Sequence, residues 1–414
     1  MLVTEATVPA SAAIQSGRIY AEVNGPVNTG VAFANPNSQD AVISFYFTDA
    51  AGTDFGHGSF TLAANRQMAA FLSEAPFNGR APMQGTFSFS SSMSVGVIAV
   101  RGFTNERSEF LITTLPVAAI GNGSTSVTVL PHFADGGGWT TQVILTNQSE
   151  GQLAGTVQFF NPGSSTQSAS PLALVVNGAS NSSFNYVLPP RAAVRLVTGN
   201  PPGTVQAGTV RINPSNGSVA PVAEAIFSFK SNAVTVSEAG VSALPTGTAF
   251  RMYAEASGAL TQIGSIQTGV AIANPSSASV PVNLELTRLD GSSLGSPVTV
   301  TVPPNGQIAR FIYELFPTLS ATFSGLLKMT ATTPVGIIGV RGRYNERGDF
   351  LITTTPPRND DAGSLAADVA FPQIAGGGGY TTQIIVFGPP GSGKLWFYAQ
   401  DGRLLGSETL RQIP

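Results

Sequence analysis

The chain repeats itself, and no other feature of the sequence constrains its fold so tightly. "RIYAEV" at Arg18 returns as "RMYAEA" at Arg251, and "TGVAFANPNS" at Thr29 returns as "TGVAIANPSS" at Thr268. The stretch "VGVIAVRGFTNERSEFLITTLP" from Val95 matches "VGIIGVRGRYNERGDFLITTTP" from Val335. A second kind of unit lies between, because "LPHFADGGGWTTQVILTN" from Leu130 is echoed by "FPQIAGGGGYTTQIIVFG" from Phe371. The order is therefore A, B, A, B, and fixed-period self-similarity of this kind marks arrays of one supersecondary unit. The two kinds are distant relatives, since "TTQVILTNQS" stands where unit A has "NTGVAFANPN". The expected units are 18–118 (A), 119–245 (B), 246–357 (A) and 358–414 (a partial B), with 1–17 as a linker or the closing strand of a preceding unit. Spans 29–36, 141–147, 268–275 and 382–387 are expected to be copies of one buried β-ribbon.

Period-two alternation identifies the ribbons as strands. In "VPVNLELTRLDG", Val282, Leu284 and Leu286 face one way and Asn283, Glu285 and Thr287 the other. Asp290-Gly291 supplies the positive φ of a tight hairpin, and Pro303-Pro304 ends the returning strand. Ile43, Phe45, Phe47, Phe60 and Leu62 repeat the arrangement in the first unit. In "GQIARFIYELF", Ile308, Phe311, Ile312 and Leu315 have helical spacing, which predicts one short helix; its twin is "RQMAAFLSEAPF". With 46 Gly and 29 Pro, the chain suits many short strands joined by turns. The predicted fold is all-β, a tandem of immunoglobulin-like β-sandwiches with the last one incomplete.

Both ends fall inside units. "LVTEATVPA" from Leu2 matches "TVSEAGVSA" from Thr235, the closing strand of a B unit, and the last unit is roughly seventy residues short by the same alignment. Two expectations follow. In the first, the chain is a stretch of a longer A-B array. In the second, it is a filament subunit, in which the first strand of one molecule completes the open unit of the next.

Charge is scarce, at 10% of residues with a net charge of -3, and only Lys230, Lys328 and Lys394 are lysines. That balance offers no basic face for nucleic acid. Cysteine is absent, so disulfides, thiolate metal sites and cysteine nucleophiles are excluded. No apolar run reaches the ~20 residues that span a bilayer.

Four motifs imitate chemistry. "GPPGSGKLW" from Gly388 nearly spells a phosphate-binding loop, but Leu395 replaces the hydroxyl that Mg²⁺ requires, and "KLWFYA" reads as a strand, so a hairpin turn and no nucleotide are expected. Arg347-Gly348-Asp349 spells the integrin tripeptide, yet the first unit has Arg107-Ser108-Glu109 there, so a hairpin closed by Asn105 or Asn345 is expected, with the acid pairing to a nearby arginine. His57 and His132 are the only histidines and read as turn or surface residues, which leaves no catalytic, cofactor or metal site to assign. "FADGGGWTTQ" and "IAGGGGYTTQ" offer the candidate ligand contacts: Trp139 or Tyr380 as a stacking face for a sugar, with Asp135 beside the glycines. The competing reading is a glycine turn whose aromatic plugs the end of the sandwich.

On "GVAIANPSS", "RGDFLITT" and "FADGGGWTTQ" the chain resembles the tandem immunoglobulin-like repeat proteins of secreted bacterial polypeptides. The resemblance implies an extracellular or cell-surface location and a non-enzymatic structural or adhesive role, as a stalk or spacer that presents loops. Neighbouring protein modules and cell-surface or matrix glycans would be its partners. A string of carbohydrate-binding modules is the alternative.

Overall fold

The computed structural model describes residues 1–121, 123–199, 201–319, 322–363, 368–387 and 393–410. Its sheets are antiparallel throughout, and the alternating strands close into β-sandwiches. The first unit comprises β1 (Ile14–Asn24), β2 (Val27–Ala34), β3 (Ala41–Asp49), β4 (Asp54–Leu62), β5 (Gln67–Phe71), β6 (Met83–Thr104), β7 (Phe110–Leu115) and β8 (Ala118–Ala119). The 22-residue β6 serves both layers. Its first half pairs with β1 and β3, and its second half with β2 and β7. The layers are thus β4-β3-β6-β1 and β5-β2-β6-β7, hinged at the serine-rich stretch Ser90 to Ser94. Between them Phe33 meets Phe89 edge-on at 5.0 Å, and Phe45 stacks on Phe87 at 5.6 Å.

The second unit contains β9 (Thr128–Asp135), β10 (Trp139–Thr146), β11 (Leu153–Phe160), β12 (Leu174–Val176), β13 (Ala179–Asn181), β14 (Ser183–Leu188), β15 (Ala193–Val197), β16 (Gln206–Pro214), β17 (Val222–Ser231) and β18 (Val234–Ser242). Its layers, β14-β11-β16-β9 and β15-β10-β17-β18, keep the strand order of the first unit. Here the shared strand is cut in two, because Pro214 and Pro221 flank a turn at Ser215 to Ser218 and proline cannot donate to a ladder.

The third unit runs through β19 (Gly247–Ser257), β20 (Ile266–Ala273), β21 (Val280–Arg288), β22 (Ser293–Val302), β23 (Gln307–Phe311), α1 (Ile312–Leu315), β24 (Thr322–Tyr344), β25 (Phe350–Thr354) and β26 (Arg358–Asn359). Its sheet order, β22-β21-β24-β19-β20-β23, is that of the first unit position by position. Val282, Leu284 and Leu286 are buried as their alternation requires, and Gly291 turns the following hairpin at φ 85°. The expected helix is only half present: 307–311 form an edge strand on β20, and the helix is the single turn Ile312–Leu315. Strand pairing outweighs helical spacing wherever a free sheet edge lies alongside.

The last stretch departs from expectation. Residues 381–387 form no strand, and Ile385 and Val386 are exposed, whereas the matching 27–34, 139–146 and 266–273 are strands with buried cores. The reason is the missing ladder, since β10 lies between β15 and β17 and no described strand flanks 381–387. β27 (Gly393–Tyr398) and β28 (Leu404–Leu410) then form a hairpin on their own.

Candidate functional site

The glycine motifs resolve into hairpin turns. Gly136 and Trp139 exchange backbone hydrogen bonds of 2.9 and 3.0 Å across Gly137 and Gly138, whose φ values are 60° and 94°. Gly377 and Tyr380 do the same at 3.1 and 3.0 Å across Gly378 and Gly379, at 59° and 91°. Two successive positive φ angles define a primed turn, which glycine accepts without strain. The threonine two residues on fixes each turn to the strand before it. Ala134 N–H donates to Thr141 Oγ1 and Thr141 Oγ1 donates to Ala134 O, and Thr382 makes the same pair with Ala375. Thr29 and Thr268 hold Glu22 and Glu255 likewise. A threonine hydroxyl at the corresponding place therefore recurs at Thr29, Thr141, Thr268 and Thr382.

Of the three candidate contacts, the structure leaves one open. Trp139 is half-buried, stacked on Phe229 at 4.6 Å and edged by Phe350 at 6.4 Å, so one indole face is already covered. Tyr380 is 54% exposed. Asp135 is 1% exposed, because β9 carries it into the interior beside the turn.

The asparagine of "ANP" and "TNQ" is a pin for the loop that follows. Asn147 Nδ2 donates to Gly151 O, Leu188 O and Pro189 O, while its Oδ1 accepts from Ser149 N. Asn35 and Asn274 make the equivalent set. Asn105 and Asn345 close their hairpins as expected, each accepting from two N–H groups of its own turn, while the positive φ of the turn falls on Ser108 and Gly348. The tripeptide at 347–349 is engaged across units: Arg107 pairs with Asp349 at 2.8 Å and Arg347 with Glu109 at 2.5 Å, a reciprocal contact between the first and third units.

Lys394 lies on β27 with its Nζ 4.1 Å from the Trp396 ring, not at the head of a helix, and 388–392 lie outside the described residues. His57 is exposed on β4. His132 corrects the expectation of a turn or surface residue: it stands half-buried on β9, 3.3 Å from Gln307 Oε1 of the third unit, and burial lowers its pKa.

The most distinctive chemistry lies where the units meet, and sequence reasoning passed over it. Between the first and second units, Arg101 bridges Glu22 at 2.8 Å and Glu238 at 3.1 Å, with all three side chains at most 4% exposed. Arg195 adds a second cation on Glu22 at 2.8 Å, Ser228 donates to Glu238, and Tyr20 donates to Glu22. Burial together with the Glu22 charge pushes the Tyr20 phenol up. Burial works against the Arg101 cation, but Glu238 and Glu22 outweigh it and raise its pKa. Two carboxylates face two guanidinium groups, so the buried charge balances. A fifth group, Glu224, is buried on β17 with neither oxygen hydrogen-bonded, and burial holds its pKa well above the carboxylate range, against the pull of Arg101. The fully buried Arg18 joins the same two units through Ser88 Oγ, Asn147 O and Tyr46 OH. The available signal was the recurrence of Arg18, Glu22 and Arg101 inside apolar strands of a chain poor in charge.

Among the described residues no cluster of three His, Asp or Glu side chains could hold a metal ion, and no helix is long and apolar enough to cross a membrane. No known protein-family model matches the chain, and no curated protein matches it.

Proposed function

We propose that this chain is a non-enzymatic structural repeat protein of the cell exterior, whose β-sandwich units hold their loops in fixed mutual positions for contact with neighbouring modules. One observation carries this reading: in a chain poor in charge, several ion pairs join one unit to another, through the buried Arg101–Glu238 contact of the Glu22–Arg101–Glu238 bridge and the reciprocal Arg107–Asp349 and Arg347–Glu109 pairs. Groups neutralised in that way support rigidity and leave little free for chemistry. The units of such a protein act as a block, not as beads on a flexible string. Surface biotinylation of intact source cells tests the location, and the reading fails if the chain is labelled only after lysis.

Glycan contact is the second reading, favoured by the exposure of Tyr380 on a rigid hairpin turn. It predicts glycan-array signals that Tyr380→Ala abolishes and that Trp139→Ala reduces less, because Phe229 covers one face of the indole.

A further inference from the structure

Two grooves in the molecule bind extended segments of the same pattern through the same contacts. In the first, the occupant is Thr235 to Glu238 of β18. Asn105 Nδ2 donates to Thr235 O at 3.0 Å, and Thr235 N donates to Glu106 Oε2 at 2.7 Å. Ser237 Oγ accepts from Ile352 N at 2.7 Å and donates to Ile352 O at 3.2 Å, and Glu238 meets Arg101. In the second, the occupant is Leu2 to Glu5. Asn345 Nδ2 donates to Leu2 O at 3.0 Å, and Leu2 N donates to Glu346 Oε2 at 2.8 Å. Thr4 Oγ1 accepts from Ile112 N at 3.2 Å and donates to Ile112 O at 3.4 Å, and Glu5 pairs with Arg341.

The first groove takes a residue by its main chain, a hydroxyl two places on, and a carboxylate one place after that; the second does the same with equivalent residues from the opposite units. Both grooves hold the first position by its main chain, and Thr235 adds a side-chain hydrogen bond to Glu106 Oε1 at 3.2 Å that leucine does not make. The occupants differ in how they are held. β18 is locked into a ladder with β17, whereas residues 2–10 belong to no strand, and their neighbour Ser11 makes one isolated bridge, to Ala370.

We propose that the groove formed by Arg341, Asn345, Glu346 and the Ile112 backbone is a recognition site for an extended x-Val-Ser/Thr-Glu segment, in which residues 2–5 are an exchangeable ligand that the same segment of a second copy replaces. An occupant held by these side-chain contacts, with Arg343 adding a second cation on Glu5 at 3.7 Å, and by no ladder competes with an incoming one through effective concentration alone, on the order of millimolar for a short tether. Weakening the resident segment therefore opens the site.

The test is fluorescence anisotropy on the full chain with two labelled nonapeptides, LVTEATVPA and TVSEAGVSA, each also made with glutamine for glutamate. The site predicts that both peptides bind the Glu5→Gln chain about tenfold more tightly than the unaltered chain. The glutamine peptides and an Arg341→Met, Glu5→Gln chain should lose that binding. Failure of both peptides to bind Glu5→Gln, or equal binding of the glutamate and glutamine peptides, overturns the proposal. The peptide substitution leaves the protein's fold untouched, so the outcome stands even if Arg341→Met proves unstable.

Discussion

At the scale of single residues, polar side chains that resemble functional groups are fastenings. Asn147 satisfies three main-chain carbonyls that otherwise lie in or near the interior. Asn147→Ala should therefore destabilise the protein by about 3 kcal/mol in urea denaturation, the cost of several acceptors left unpaired. Glu224 makes a prediction of the opposite kind. Its folded pKa is raised above the ordinary 4.5, so its favourable contribution is complete below that value and is lost as pH rises through the folded pKa. As pH rises above about 4.5 the unaltered protein should lose thermal stability relative to Glu224→Gln, and the two should converge below that value. A constant difference across the range would mean that the carboxyl does not titrate in the interface. Neither role was legible beforehand. The asparagine pins sit in motifs visible by repetition, but the repeat shows that a residue recurs and not what it touches.

At the scale of elements, most of the architecture was readable, because strands bury alternate residues and turns demand particular backbone angles. The hairpins at Asp290-Gly291 and around "TDAAG" fall where alternation breaks, and the layers of the first three units follow. Two elements were misread for physical reasons. Residues 307–311 have helical spacing but lie along the free edge of β20, and 382–387 have a strand's pattern but no described strand beside them. The glycine turns give a matched test of what local sequence and surroundings each contribute. Gly138 and Gly379 have nearly the same φ, 94° and 91°, but a Cβ at Gly138 would lie 2.3 Å from Lys230 O while at Gly379 it meets nothing. Gly379→Ala should cost the backbone strain alone, about 1 kcal/mol, and Gly138→Ala at least about 2 kcal/mol more. Equal effects would show that backbone strain alone, and not the contact with Lys230, sets the cost.

For the whole molecule, the repeat predicts how many units there are but not how they sit. The first and third units meet through two reciprocal ion pairs, as two copies do about a two-fold axis. The second and third meet through His132 and Gln307, and the last stretch approaches the first unit at the equivalent glutamines, Gln373 and Gln67. Arg107→Asp should cost about 1 kcal/mol, and adding Asp349→Arg should restore most of it, with denaturant midpoints as the readout. The arrangement escapes sequence reasoning because it rests on a handful of charges whose partners lie more than a hundred positions away.

The contacts between units imply that they pack on one another as a single block. Small-angle X-ray scattering of residues 1–414 tests it most directly. Packed units predict a radius of gyration of about 22 Å, the value for one compact body of this length. A clearly larger radius with the scattering profile of a rod would mean that the units do not pack on one another.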